Sequence, residues 1–299
     1  MILDYNRVKM NKHIVLGVDI GGTHITASLI DVRERLLIPG STRRMDVNSG
    51  GTKEEIIQQW SDVISATLAD IPHAEWKIGI AMPGPVNYDT GMCYIRGQHK
   101  YESLYGSNLK QLLAGALSIG EDDILMINDA AGFLAGEMFI GAGRGHQKVL
   151  GLTLGTGLGS SLADNGTIID ADLWHSPFLD GKAEDYISGP WLMRTAAASG
   201  LNYADVKTMA ADARNSDQVK EIFTTFGKHL GLFLAHFAEK HQPELVVLGG
   251  NIAKAHHLFN KPLRDEMKKR GLEITVRIAE IGESAALVGA ASLWDRVSV

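Results

Sequence analysis

Residues 13–31, HIVLGVDIGGTHITASLID, decide the fold. An apolar run ends at Ile20, Gly21-Gly22 breaks it, and apolar and polar residues then nearly alternate. That pattern predicts a strand, a tight turn and a second strand. Residues 148–166, KVLGLTLGTGLGSSLADNG, read the same way: Val15, Leu16, Gly17 and Gly21 match Val149, Leu150, Gly151 and Gly155 at a constant offset of 134. Two related halves would explain the repeat.

The remaining segments alternate between the two periods. Ile56, Ile57, Trp60, Val63, Ile64 and Leu68 have helical spacing within residues 53–70. KIGIAM predicts a buried strand stopped at Pro83-Gly84-Pro85, and DDILMINDAAGFLAGEMFIG a strand that turns into a helix at Asn128-Asp129. A long helical stretch covers 219–240, a strand ending in a glycine pair covers 244–253, and a closing helix covers 284–297. This alternation predicts an α/β fold with mixed sheets in both halves. Without a Ser/Gly- or Pro-rich linker the halves should abut, with a ligand cleft between them.

Of 299 residues, 45% are hydrophobic and 21% charged, ordinary values for a chain that buries a core. Lys plus Arg is 29 and Asp plus Glu is 35, a net charge of −6, which argues against a nucleic-acid surface. No apolar run approaches the roughly 18 residues of a membrane span, and the N-terminus carries no signal-peptide pattern. A single cysteine, Cys93, excludes an intrachain disulfide and a multi-cysteine metal site. The expectation is a cytoplasmic globular protein. Its 33 glycines exceed the usual share of about 7%, and the excess reads as backbone turns.

Three glycine turns follow apolar strands: Gly21-Gly22-Thr23, Gly155-Thr156-Gly157 and Gly249-Gly250-Asn251. Any one alone reads as a plain turn. Three together, two with an adjacent Thr, favour a polyphosphate ligand, since glycine lets backbone N–H groups approach an anion. No G-x-x-x-x-G-K-[ST] string is present, and the strand after Gly22 disfavours a dinucleotide site. Asp19, at a strand end, either bonds its own turn or holds Mg²⁺ through water. Asn128-Asp129 reads as an N-cap pair, and Asp129 also as a general base for phosphoryl transfer. The loop carrying Asp172, His175, Asp180, Glu184 and Asp185 suits either solvent or a polyol.

GVDIGGTHI, GIAMPGPV, INDAAGFLAGEMFIGAGRG, LTLGTGLGSSL, ADLWHSPF…AEDYISG and VVLGGNIA, in this order, resemble the ROK family (repressors, open reading frames, kinases) of sugar kinases. The resemblance covers nearly the whole chain. It implies the two-lobed actin-like ATPase (ribonuclease H-like) fold, with a small lobe of residues 1–125 plus 285–299 and a larger lobe of 126–284. It implies ATP-dependent phosphorylation of a hexose, at the C6 hydroxyl, in a homodimer whose ligands are sugar, ATP and Mg²⁺ and which binds neither nucleic acid nor membrane. Asp129 would be the base, and Gly84, Asn128, Asp172, His175 and Glu184 would join it around the sugar. Gly21, Gly22, Thr23, Gly155, Thr156 and Gly157 would hold phosphates, Gly249, Gly250 and Asn251 would lie near adenosine, and Asp19 would face the metal.

The chain departs from the family pattern in four places. His24 stands where Lys or Asn is frequent, and Asp172 replaces a Glu, with Trp174 in place of a small residue. FLDGKAEDY lacks the cysteines of the family's zinc loop, so no structural zinc is expected. RGQHKYESLYG leaves Gln98, His99 or Tyr101 in place of a sugar-binding Asn and a Trp. The alternatives are a sugar-sensing ROK-type regulator, a catalytically silent sugar-binding relative, or an actin-like ATPase with a protein partner. The family's regulators carry an N-terminal helix-turn-helix, for which the dozen residues before the first strand are too few. Trp174 and Phe178 read as exposed and available to a dimer contact.

Overall fold

The computed structural model describes residues 13–72 and 76–297, so the segment read as free of a signal peptide and of DNA-binding helices lies outside the described residues. Two compact units emerge, one running to Gly141 and resuming at Glu283, the other spanning Ala142–Gly282.

In the first unit, β1 (Ile14–Ile20) and β2 (His24–Asp31) form the expected antiparallel hairpin. β3 (Leu36–Leu37) and β4 (Arg43–Asp46) pair with the outer side of β2. β5 (Ile78–Met82) lies parallel to β1, and β8 (Ile124–Asn128) parallel to β5; between them in sequence, β6 (Val86–Asn87) and β7 (Met92–Cys93) form a small separate hairpin. Helix α1 (Lys53–Leu68) is started by a reciprocal cap between Thr52 and Glu55, and buries Ile56, Trp60 and Ile64 against the sheet. α2 (Leu109–Leu117) follows, then α3 (Asp129–Ile140) directly from β8.

The second unit repeats this plan. β9 (Lys148–Leu154) and β10 (Leu158–Asp164) form a hairpin, β11 (Thr167–Asp170) extends it, and β14 (Leu245–Gly249) and β15 (Thr275–Ile278) add in parallel. The orders β3-β2-β1-β5-β8 and β11-β10-β9-β14-β15 match strand for strand, with the same directions, so the offset of 134 reflects a repeated topology. A short hairpin, β12 (Pro177–Phe178) with β13 (Gly181–Lys182), leads into α4 (Ala183–Tyr186), α5 (Gly189–Ala198) and α6 (Val206–Asp212). α7 (Asp217–His241) then packs on α8 (His256–Lys269), with Phe226 edge-on to Phe259.

The glycine excess is only partly a matter of turns. The C-terminal helix (Ala285–Val297) returns to the first unit and lies backbone to backbone on its neighbours. A Cβ on Gly17 would fall 2.1 Å from the Leu287 carbonyl oxygen, one on Gly79 2.1 Å from that of Ala290, and one on Gly136 2.0 Å from that of Ala285. Gly289 would meet the Gly132 carbonyl oxygen at 1.9 Å. This seam ties α3 to the terminal helix, so the first unit runs to Gly141 where the sequence suggested a division at 125/126. A second departure concerns Phe178, which is buried edge-on to Tyr186 and Phe233, whereas Trp174 is 41% exposed. Among the described residues, no helix is long and apolar enough to cross a membrane.

The seam makes a paired prediction. Gly289→Ala forces a methyl into a backbone carbonyl and should destabilise the protein by about 2 kcal/mol or more. Gly115→Ala, on α2 with open space around it, should instead stabilise by about 0.5–1 kcal/mol. Urea denaturation of both variants checks the contrast.

Candidate active site

Parallel strands β1, β5 and β8 end on one edge of the first sheet, the position where open α/β sheets place ligands. Their carboxyl ends carry Asp19 and the Gly21-Gly22-Thr23 turn, Pro83-Gly84, and Asn128-Asp129. Asp19 is level with Ala81, and Ala81 with Ile127, so Asp19 lies two strand spacings, about 10 Å, from the chain entering Asp129. The sequence-assigned residues of this half are therefore together.

Asn128 caps α3: its Oδ1 accepts from Ala130 N at 2.9 Å and Ala131 N at 3.2 Å. Its Nδ2 donates to the Tyr88 hydroxyl at 3.3 Å, which donates to the Met82 carbonyl at 3.1 Å. Gly84 packs under the same hydroxyl. Asp129, the first helical residue, accepts from Ala130 N at 2.8 Å and stays partly exposed. Burial raises its pKa, while the Ala130 amide and the Lys100 ammonium favour the ionised form. Asp19 is pushed up to about 7, chiefly by burial and then by the Asp129 charge, with Arg44 opposing. His24 is shifted down by burial and by Arg44, which favours the neutral ring, and its Nδ1 lies 3.2 Å from the Thr23 hydroxyl.

Tyr101 and Lys100 complete this edge. Tyr101, left by the sequence as one of three candidates, is fully buried, stacked edge-on to Trp60 at 5.4 Å, and its hydroxyl donates to the Gly21 carbonyl. The Lys100 stem lies against Gly22. A tyrosine in a polar loop gives no sequence signal of such burial. Gln98 instead donates to the Gly84 carbonyl at 3.2 Å, and the His99 amide to Glu102 at 3.0 Å.

In the second unit, the ends of β9 and β14 are adjacent. They place Gly155-Thr156-Gly157 beside Gly249-Gly250-Asn251. Gly250 has φ +82°, and a Cβ there would fall 2.4 Å from the Leu154 carbonyl oxygen, so only glycine fits. In both hairpins the first glycine's amide closes the turn, Gly21 to the His24 carbonyl at 2.9 Å and Gly155 to that of Gly157 at 3.0 Å. Anion contacts from these two turns therefore fall to later positions. Gly155, Thr156 and Asn251 line a cavity of about 2060 Å³, together with Gly189, Pro190 and the faces of α6, α7 and α8. Eight lysines and arginines border it against two aspartates, which suits a large anionic ligand such as a nucleotide. Gly157, Gly249 and Gly250 shape the adjoining turns rather than its wall.

The polar loop of this unit forms a chain of contacts. Asp172 is 3.4 Å from His175 Nδ1 and accepts from Trp174 Nε1 at 2.6 Å. Lys182 sits 4.5 Å over the Trp174 ring and 3.7 Å from Glu184. Glu184 accepts from the Leu158 amide at 3.1 Å and abuts Gly157, tying this loop to the glycine turn. Among the described residues, no group of three or more His, Cys, Asp or Glu side chains is placed to hold a metal ion. Asp19 is a carboxylate at a strand end whose charge is disfavoured by burial and by a second carboxylate.

A glucokinase of Thermotoga maritima is 27% identical over 95% of this chain and 98% of its own length. A ROK hexokinase structure from Thermus thermophilus superimposes with a TM-score of 0.79 at 21% identity, over 95% of this chain and 99% of that one. A ROK family glucokinase from Streptomyces griseus, solved with glucose and AMPPNP, gives 0.74 at 24% identity, over 94% and 98%. The fold is thus the actin-like ATPase fold of the ROK sugar kinases. The ROK family model matches residues 15–172 and 180–297, and the chain belongs to that family.

Proposed function

We propose that this protein is an ATP-dependent hexose kinase in which Asp129 is the general base. The observation that carries the reading is Asp129 itself, a half-sequestered carboxylate at the carboxyl edge of three parallel strands. Its helix start is held by Asn128, and the hairpin turn of β1 and β2 lies at the end of the strand two places away in the same sheet. Kinship with a glucokinase supports the same chemistry.

Asp129 takes the proton of a sugar hydroxyl, on C6 in this reading, as that oxygen attacks phosphorus. Its raised pKa strengthens it as a base, while the Lys100 charge keeps it ionised. Asn128 fixes the start of α3 and leaves its Nδ2 with Tyr88 to border the sugar, together with Gly84. Asp172, His175 and Glu184 supply further polar contacts to sugar hydroxyls. The amides following Gly21 and Gly155 and the Thr23 and Thr156 hydroxyls bind phosphate oxygens, and Asn251 borders the nucleoside with the walls of the basic cavity. Mg²⁺–ATP, when bound, supplies the phosphoryl group, and Asp19 faces the cation.

Two outcomes test this reading. In a coupled ADP-release assay over a panel of hexoses and N-acetylated amino sugars, at least one sugar should elicit turnover. Asp129→Asn should then lower kcat by about 10²–10⁴-fold with the fold intact by circular dichroism. In the wild type, kcat/KM should fall on the acid side with a midpoint above the ordinary carboxylate value of 3.8, because protonation removes the base and burial moves that step upward. Sugar binding without any turnover would mark a regulator or silent relative.

Asp19 makes a separate prediction about stability. Its pKa is near 7 when folded and 3.8 in the absence of the fold, so the native state holds the proton more tightly. The associated stability is fully present below pH 3.8 and is lost as the pH rises through 7. Asp19→Asn should therefore exceed the wild type by about 2–4 kcal/mol at high pH, the gap closing in acid. Urea denaturation at several pH values, without divalent cations, measures the difference.

A further inference from the structure

The loop at residues 97–101 is tied down by three hydrogen bonds from Gln98 and Tyr101. The Tyr101 amide donates to the Ser49 carbonyl at 2.7 Å, and its hydroxyl to the Gly21 carbonyl. Gln98 Nε2 reaches the Gly84 carbonyl at 3.2 Å. His99 and Tyr101, on either side of Lys100, both adopt left-handed backbone, with φ 58° and 56°. Such conformations are unfavourable for non-glycine residues and persist only where the surroundings impose them.

Their effect is to send the Lys100 side chain over the phosphate-type turn. Its Cδ would lie 3.4 Å from a Cβ on Gly22, so the aliphatic stem runs along a surface that any larger residue at position 22 would crowd. Lys100 is half-buried, and no described residue forms a hydrogen bond or an ion pair with its ammonium. The charge still acts on Asp129. No described anion touches the ammonium directly, so a bound anion can pair with it in the space above the turn. His24, the residue after the glycine turn, is uncharged in its favoured state and supplies no competing cation there.

Building on the sugar-kinase reading, we propose that Lys100 is a catalytic residue that binds the phosphoryl group in transit. The bond between the terminal phosphorus of ATP and its bridging oxygen breaks, and the electron pair leaves with ADP. The sugar oxygen bonds to that phosphorus as Asp129 accepts its proton, and Lys100 neutralises charge on the equatorial oxygens. A lysine from a loop remote in sequence thus serves the turn of the first hairpin.

The test uses the full-length protein with Lys100→Met, which keeps the stem, and Lys100→Arg, which keeps the charge. With the best hexose of the panel, Lys100→Met should lower kcat about 10²-fold or more, as for other removed transition-state donors, and change the sugar KM by less than about threefold. By calorimetry with Mg²⁺, it should weaken AMPPNP binding about tenfold while leaving ADP within about twofold, and Lys100→Arg should recover part of both losses. Wild-type kcat in Lys100→Met, or equal losses for the two nucleotides, overturns the assignment. If the wild type releases no ADP with any sugar, the kinase reading fails on its own, and the AMPPNP-to-ADP comparison still decides whether Lys100 holds a terminal phosphate.

Discussion

The contact on which the first unit depends is made without side chains. The terminal helix rests on β1 at Gly17, on β5 at Gly79 and on α3 at Gly132 and Gly136, with its own Gly289 completing the crossing. Close-packed interiors transmit small displacements rather than absorb them. The same helix therefore sets the height of β1, which ends in Asp19, and of α3, which begins with Asp129. Two carboxylates from segments over a hundred residues apart keep their separation because a third segment presses on both.

That arrangement carries an electrostatic cost. Asp19 and Asp129 each lose hydration, and Asp129 adds its charge to the field at Asp19. Arg44 and Lys100 offset part of this, one from an edge strand and one from a loop. The edge is thus balanced for added cation and anion together, the charge pattern that Mg²⁺ and a polyphosphate present. The second unit carries, on its own, a wide cavity bordered by lysines and arginines.

Much of this was legible from residue order. The hairpins at 14–31 and 148–164, the strand-to-helix change at Asn128-Asp129 and the long α7 follow from local periodicity, and the structure has each of them. The role of the glycines inside β1, β5, α3 and the terminal helix is not readable locally, because what they avoid is a clash with backbone distant in sequence. Phe178 looked exposed among polar neighbours, yet the aromatic cluster of Tyr186 and Phe233 that covers it is assembled by the fold. Of the candidate site, the strand-end residues were visible as motifs. Tyr101 under Gly21 and Lys100 over Gly22 were not, since a buried tyrosine in a loop has no period to betray it. The commitment of the Gly21 and Gly155 amides within their own turns is likewise a matter of hairpin geometry.

The two units differ in how they use the chain. Residues 142–282 form an uninterrupted stretch, whereas the other unit joins residues before 142 to residues after 282. During synthesis on the ribosome, the contiguous unit can close as soon as it emerges, and the discontinuous one must wait for its last helix. Until residues 285–297 emerge, β1, β5 and α3 expose glycine-lined backbone with nothing against it. A nascent chain arrested near residue 282 would thus carry one finished half and one unfinished half, and its nucleotide-type cavity would exist before its proposed base had been set in place.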